Sequence, residues 1–290
     1  MIYIPGVKTV NVKSTRAIRR ATVVLERIRS RYERYVRIQY TKLLKSIYEE
    51  ILNMDHIPSE LEVYTIIQDT HEAQEHILRR MMDAIYPEAT LLATPDDKIK
   101  CIQGANGIDV KDTDRNDAVR ERFDRWMDEN LGAMIRSGYY DDMTDAFMSD
   151  MWYIDDTTMR DIRKAMDTAH GDPYLFQQEV QKVLGSTPQR AYTIARTETA
   201  RASNVAMRMA AEEYSFGRPM TKTWITVGGP NVRASHRAMD DVTIDNNEFF
   251  SVPNIYGGYD TMLEPLDGVH GATASNIINC RCWCVRNYEE

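Results

Sequence analysis

One acidic side chain stands on what the sequence predicts to be the packed face of a helix. The helix is expected to begin at Pro188, because proline is favoured in a first turn. Its apolar stripe consists of alanine, valine and methionine at positions 191, 195, 202, 205 and 209, with Glu198 as the exception. An uncompensated buried carboxylate costs several kcal/mol, so Glu198 is expected to have a cationic partner. The basic candidates are Arg201, Arg233, His236 and Arg281. The pattern fits both a structural ion pair and a catalytic carboxylate.

Arg233 and His236 form a second group with possible chemistry. They are three residues apart, so one helical turn would place them on the same face. A histidine beside an arginine can be a general base, a metal ligand or a hydrogen-bonded structural residue. Ser235 adjoins His236, but consecutive helical residues do not face one another, which argues against a hydrolase dyad. If these residues are not structural, the alternative is that the protein is an enzyme that catalyses transfer or hydrolysis on a nucleotide-like substrate. Its polar cluster would be Arg196, Glu198, Arg233 and His236.

Three of the four cysteines fall in one short segment, at Cys280, Cys282 and Cys284. On a strand, alternate cysteines point to the same side roughly 7 Å apart, which is farther than a disulfide normally tolerates. With His236 or His270 they could supply four zinc ligands, as in a small zinc-dependent nucleic-acid-binding protein. Structural zinc sites, however, favour two to four residues between paired cysteines. Reduced core cysteines without a metal or cofactor are therefore predicted.

The cysteine segment is predicted to form part of a terminal strand. Period-two geometry would place Cys280 and Cys282 on the packed face and direct Arg281 the other way, toward a carboxylate or a carbonyl. Asn279 is a residue type that turns or caps a chain. No phosphate-binding glycine loop, dinucleotide fingerprint or His-Glu-x-x-His motif is present in the sequence.

The composition is that of an ordinary packed protein. The chain has 290 residues, of which 43% are hydrophobic and 28% charged, which leaves room for two domains or for one domain with a long extension. No stretch approaches the roughly 20 apolar residues of a membrane-spanning helix, and the first residues lack the apolar segment of a secretory signal. Folding in the cytoplasm is therefore expected.

Charge is distributed unevenly along the chain. Residues 8–45 contain twelve basic and two acidic residues, a net charge of +10, whereas the whole chain has a formal net charge of −8. Residues 141–161 contain seven aspartates and one arginine. A basic arm followed by an acidic body is predicted.

The basic arm is predicted to be one long helix. Residues 14–53 contain no proline or glycine, and their apolar residues recur in alternating steps of three and four. At 100° per residue, five arginines cluster within about 60° of arc, apart from the apolar stripe. This arginine stripe consists of Arg16, Arg20, Arg27, Arg31 and Arg34. It is either a solvated face or a surface that binds phosphates or an acidic protein.

The pattern as a whole predicts a mainly α fold with long N-terminal helices and a small α+β C-terminal module with short strands. Further helices are predicted at 59–86, 113–136, 173–184 and 188–214, with one or two acidic helices at 141–171 and a loop at 95–107. Strands are predicted at 221–227, 242–244, 249–252 and 280–288. The chain is predicted to divide into a basic helical arm with the second helix (1–110), an acidic helical region (111–186) and an α+β domain (187–290).

An ordered series of motifs in the last hundred residues resembles the C-terminal domain of phage minor head proteins of the Mu F and SPP1 gp7 type. The series covers about residues 187–288. It consists of Ile194-Ala195-Arg196-Thr197-Glu198, Trp224, Val232-Arg233 with His236, Phe250, Pro265 and Ile278-Asn279-Cys280-Arg281-Cys282. The order of these elements carries the resemblance more than any one of them does.

The resemblance implies a structural, non-enzymatic protein of a tailed-phage head that lies inside the capsid near the portal. It implies a role in head assembly, genome packaging or DNA delivery, with several copies in each virion. The portal protein is the expected partner, and the major capsid protein and double-stranded DNA are further candidates. No cofactor is implied, and the motif residues are expected to have structural roles.

Overall fold

The structure, a computed structural model, describes residues 2–4, 7–10, 15–93, 152–215 and 218–288. The predicted loop at 95–107, the predicted helix at 113–136 and the first part of the acidic region lie outside these residues. Among the helices that the structure does describe, none combines the length and the apolar character needed to cross a membrane.

The long basic helix is confirmed as α1, Thr15–Leu52. Two short antiparallel strands, β1 (Ile2–Ile4) and β2 (Val7–Val10), precede it. The apolar stripe of α1 is buried, from Leu25 through Tyr40 to Ile51, and it packs against two other long helices of the same chain. Intrachain packing therefore covers one side of α1 and leaves the other side for solvent or a partner.

The second predicted helix is two helices, α2 (Glu60–Gln68) and α3 (His71–Ala93). The capping box is present: the Ser59 hydroxyl accepts from the Glu62 N–H, and the Glu62 carboxylate accepts from the Ser59 N–H. A turn after Gln68 separates the helices, where the Thr70 hydroxyl donates to the Ile67 carbonyl over 2.7 Å. The prediction that Pro87 ends the helix is wrong. Helix α3 continues past Pro87, and its packing against α1 and another long helix stabilises it there.

The described residues 152–215 form two helices, α4 (Trp152–Ala169) and α5 (Pro173–Ser215). Gly171 has a φ of 86°, which suits the turn that ends α4. Asp172 caps α5 by accepting from the Tyr174 N–H over 2.8 Å, and Pro173 is in the first turn as predicted.

The prediction that Pro188 begins a new helix is wrong, because α5 continues through it without a break. Proline has no N–H to donate to the carbonyl four residues earlier, which here belongs to Leu184. The Thr187 hydroxyl donates to that carbonyl instead. A side chain thus replaces the missing backbone donor, and the helix continues.

The C-terminal module is built from short elements. They are β3 (Met220–Ile225), α6 (Ala234–Met239), β4 (Thr243–Asp245), β5 (Phe250–Pro253), β6 (Tyr259–Met262), α7 (Ala274–Ile277) and β7 (Trp283–Tyr288). β3 lies between β4 and β7 in an antiparallel sheet, and β5 pairs with β6. The fold class is confirmed. β6 and α7 were not predicted, and the terminal strand begins at Trp283 rather than at residue 280.

Strand β7 contributes to two apolar cores. Trp283 and Val285 belong to the core of the long helices, whereas Cys284 belongs to the core of the module with Trp224 and Phe250. Alternate residues of a strand point to opposite sides, so β7 joins the module to the helices.

Candidate functional site

The motif residues meet at residues 278–282, which we call the terminal segment. The Arg233 guanidinium donates to the Ile278 carbonyl. The Asn279 N–H donates to the Thr197 hydroxyl on α5 over 3.0 Å. Asn279 has a φ of 59°, a conformation that asparagine tolerates better than most residues. Two motifs that are far apart in sequence, those of Thr197 and Arg233, therefore contact the terminal segment.

Arg281 anchors the terminal segment to α1. Its Nε and Nη2 donate to the Glu26 carboxylate over 2.9 and 2.7 Å, and its Nη1 contacts Glu33. As predicted, Arg281 is directed at carboxylates. The prediction that Cys280–Cys282 lies in the strand is wrong, because the Cys282 N–H turns back to the Cys280 sulfur at 3.4 Å instead of bonding to a neighbouring strand.

A second buried arginine, Arg29 of α1, completes this connection and was missed by the sequence reasoning. It is fully buried. Its Nε donates to the Ser203 hydroxyl over 2.8 Å, and its Nη2 donates to Asn204 Oδ1 over 2.7 Å. Its Nη1 donates to the Arg281 carbonyl over 2.8 Å. Arg29 therefore links α1, α5 and the terminal segment.

The amide of Asn204 extends the network into the module. Its Nδ2 donates to the carbonyls of Pro265 and Cys282, both at 3.0 Å. The same side chain accepts from Arg29, so both ends of the amide are used. A network satisfied in this way specifies one arrangement of the three elements.

The charges in the network balance. Glu26 and Glu33 face Arg29 and Arg281. Burial lowers the pKa of Arg29 to about 10, with Glu26 opposing this shift and Arg281 adding to it. Arg29 is therefore still a cation at neutral pH. We call these four residues and Asn204 the buried arginine network.

Glu198 lies on α5, and its side chain is 14% exposed. One carboxylate oxygen is 3.2 Å from Nη1 of Arg201, the nearest of the predicted partners in sequence. Both residues line a cavity of about 150 Å³ between α4, α5 and α7, together with Arg190, Thr197 and Ile277. The cavity wall is largely apolar.

The polar cluster proposed for an enzyme, Arg196, Glu198, Arg233 and His236, does not come together through the contacts described for these residues. Arg196 donates to the Tyr192 hydroxyl over 3.2 Å, and Glu198 pairs with Arg201. Arg233 bonds to the terminal segment, and His236 lies in the core of the module. The four residues thus contact different groups.

His236 is brought together with Cys280 and Cys282. Its Nδ1 is 3.5 Å from the Cys280 sulfur and 3.4 Å from the Cys282 sulfur, and all three residues are buried. The imidazole stands edge-on to the Trp224 ring, with ring centres 5.5 Å apart. The three ligand atoms lie within 4.8 Å of one another, so they could hold a metal ion.

The two thiols differ in acidity. Burial would raise the pKa of the Cys280 thiol, but hydrogen bonds from Cys282 and His236 outweigh it and hold that pKa well below its ordinary value. The pKa of Cys282 is raised, because its thiol bonds to Cys280 and is buried. Cys284 is outside this cluster, and His270 instead contacts Asp267 at 2.6 Å.

The arginine stripe of α1 is on the surface. Arg20, Arg27 and Arg34 are exposed. Arg31 is also exposed and pairs with Glu88 of α3 at 2.6 Å. The side chain of Arg16 lies outside the described part of the chain.

Comparison with known proteins agrees with the motif series. Residues 152–285, just under half of the chain, match the family described as Phage Mu protein F like protein. This match confirms the resemblance over the C-terminal region. Helix α1 precedes the matched residues. No curated protein and no solved structure shows significant similarity to the chain.

Proposed function

We propose that this chain, whose residues 152–285 are similar to phage Mu protein F like proteins, is a structural protein of a tailed-phage head. We further propose that it lies inside the capsid near the portal, in several copies, and takes part in head assembly, genome packaging or DNA delivery. The family match is the observation that carries the proposal.

The contacts of the motif residues support a structural role. Arg233, Asn279 and Arg281 all hold the terminal segment, two of them through backbone groups. Arg29 and Glu26 extend the same connection to α1. Asn279 and Arg281 therefore fix the module on the long helices. This is what a protein needs if it must present α1 in a defined direction.

The surface through which α1 would meet a partner is the arginine stripe. The opposite side of α1 is covered by the chain itself, so the stripe is the side on which a partner can dock. Closely spaced guanidinium groups attract carboxylates and phosphates alike. We propose an acidic surface of the portal protein as its target, with packaged double-stranded DNA as the competing target.

Co-expression with the portal protein of the same phage tests the proposal. The stripe variant Arg20→Gln/Arg27→Gln/Arg34→Gln is compared with Arg37→Gln/Lys42→Gln/Lys45→Gln, which removes the same charge from exposed positions of the same helix. Capture of the wild type and the control by tagged portal protein is expected, with at least a tenfold loss for the stripe variant. Failure of the wild type to bind would overturn the portal assignment.

A DNA arm of the same experiment separates the two targets. If the stripe binds phosphates, the logarithm of the affinity for a DNA duplex falls with the logarithm of salt concentration by about 0.9 for each phosphate neutralised. The stripe variant would then reduce that slope by up to about 2.7, since three cations are removed. Unchanged DNA binding by the stripe variant would leave protein contact as the use of the stripe.

A further inference from the structure

We propose that His236, Cys280 and Cys282 bind a thiophilic metal ion, with Zn²⁺ as the first ion to test. The site lies in the core of the module, between α6 and the terminal segment. It comprises one imidazole nitrogen and two sulfurs within 4.8 Å of one another. The inference is independent of the proposed role in the phage head.

The distances agree with tetrahedral coordination. Zinc binds cysteine sulfur at about 2.3 Å and histidine nitrogen at about 2.0–2.1 Å, so tetrahedral angles place nitrogen and sulfur about 3.6 Å apart. The observed separations from His236 Nδ1 are 3.5 Å to Cys280 and 3.4 Å to Cys282. Both nitrogen–sulfur separations therefore lie within about 0.2 Å of the tetrahedral value.

A hydrogen bond alone explains this arrangement less well. Nδ1 of a neutral imidazole either accepts one proton or donates one, so it has no need to stand almost equally far from two sulfurs. A central ion contacts all three ligand atoms at once. The Cys282 N–H also points to the Cys280 sulfur at 3.4 Å. Donation of this hydrogen bond would stabilise the thiolate of Cys280 when it binds the ion.

Charge favours the ion in so buried a place. His236, Cys280 and Cys282 are 2–3% exposed, and an isolated thiolate would be costly there. Two thiolates and one Zn²⁺ sum to zero, and the imidazole binds in its neutral form. The described residues supply three ligands, which leaves the fourth position to a water molecule, as in zinc sites with three protein ligands.

The turn in the terminal segment explains why the short Cys-x-Cys spacing is compatible with a site. On a regular strand the two sulfurs would point the same way, roughly 7 Å apart. Here strand β7 begins only at Trp283, and the chain folds so that both sulfurs reach His236. Cys284 is on the strand and stays outside the group. A bound ion would fasten the terminal segment to α6 across 44 residues of sequence.

Metal analysis of the full chain tests this inference. The protein is purified under reducing conditions, incubated with Zn²⁺, freed of unbound ion and analysed by mass spectrometry. Cys280→Ser, Cys282→Ser and His236→Gln remove one ligand each, and Cys284→Ser removes a buried cysteine of the same core as the matched control. Wild type and control are expected to retain one zinc per chain, and the ligand variants less than a tenth of that.

Cobalt substitution gives a readout that does not depend on the folding of variants. Co²⁺ bound to the wild type should give sulfur-to-cobalt charge-transfer absorption and the intense visible bands of tetrahedral coordination, and Zn²⁺ should displace it. Wild-type protein that shows neither retained zinc nor this spectrum would overturn the proposal. So would a Cys284→Ser variant that loses zinc as completely as the ligand variants while its circular dichroism stays that of the wild type.

Discussion

Replacement of Arg29 by methionine tests whether the buried arginine network holds the molecule together. Methionine keeps a long, unbranched side chain of similar reach but removes every donor. In the folded protein, Asn204 Oδ1 and the Arg281 carbonyl would each lose a charged donor at 2.7–2.8 Å. Glu26 would lose one of its two cationic partners.

The expected cost follows from these losses. Each of the two buried acceptors left without a donor costs about 1–3 kcal/mol, whereas Glu26 is partly exposed and keeps Arg281 as a partner. Desolvation of the guanidinium, which lowers the pKa of Arg29, no longer opposes folding in the variant. We therefore expect a net loss of about 4 kcal/mol, a large part of the 5–15 kcal/mol typical of a folded domain.

Urea unfolding at pH 7, followed by tryptophan fluorescence, measures the effect, because Trp224 and Trp283 are buried. Arg27→Met is the matched control: the same substitution two residues away, at an exposed position, should change the free energy of unfolding by less than about 0.5 kcal/mol. Arg29→Lys keeps the charge but not the planar fork and should fall between the two. A loss below about 1 kcal/mol for Arg29→Met would refute the assigned role, since that is within the range of unremarkable substitutions.

Glu264 is buried between Arg208 and Arg286, whose charges lower its pKa against the opposing effect of burial. Glu264→Gln should cost about 3 kcal/mol at pH 7. The pKa of Glu264 in the folded protein lies below the unfolded value near 4.5, so the stability that its charge contributes is lost as pH falls. The urea midpoints of wild type and variant should therefore converge in acid. A difference that stays constant with pH would contradict the direction of the pKa shift. Thr187→Val should lower the free energy of unfolding by about 1–2 kcal/mol in the wild type. The loss should be smaller in a Pro188→Ala background, because the alanine N–H can donate to the same carbonyl. Equal losses in both backgrounds would show that the hydroxyl does not replace the donor that proline lacks. Deletion of residues 280–290 removes a strand paired with β3 and the anchor to α1, so the module should lose its near-ultraviolet circular dichroism and become sensitive to protease; a resistant, folded truncation would make the segment dispensable.

Helices that depend on local interactions could be predicted from local signals in the sequence. The absence of proline and glycine and the spacing of apolar residues predicted α1, and the Ser59–Glu62 capping box predicted the start of α2. Pro188 was misjudged because its effect depends on one hydroxyl bond from Thr187, which periodicity does not report. The four-residue helix α7 and the strand β6 are too short for a periodic pattern to be distinguished from a loop.

Arg29 shows where the same reasoning could have gone further. It follows Leu25 by four residues and precedes Val36 by seven, so on a helix it falls within the buried stripe. Like Glu198, Arg29 carries a charge on the packed face of a helix and so needs a partner, but its charge was counted as part of a basic arm. The pattern marks such a residue as buried. Apart from Glu26 on the same helix, the partners are 171 to 252 residues away in sequence, and the pattern cannot identify them.

The basic residues of α1 therefore have two separate uses, and the separation has a physical cause. Arg20, Arg27 and Arg34 face solvent, where a charge costs little and contributes little to stability. Arg29 faces the core, where its charge is tolerated only because Glu26 and the surrounding acceptors satisfy it. Removing charge from the stripe should thus change binding and leave the free energy of unfolding unchanged. Removing it from Arg29 should lower that free energy, and binding should suffer only as far as α1 is no longer held in place.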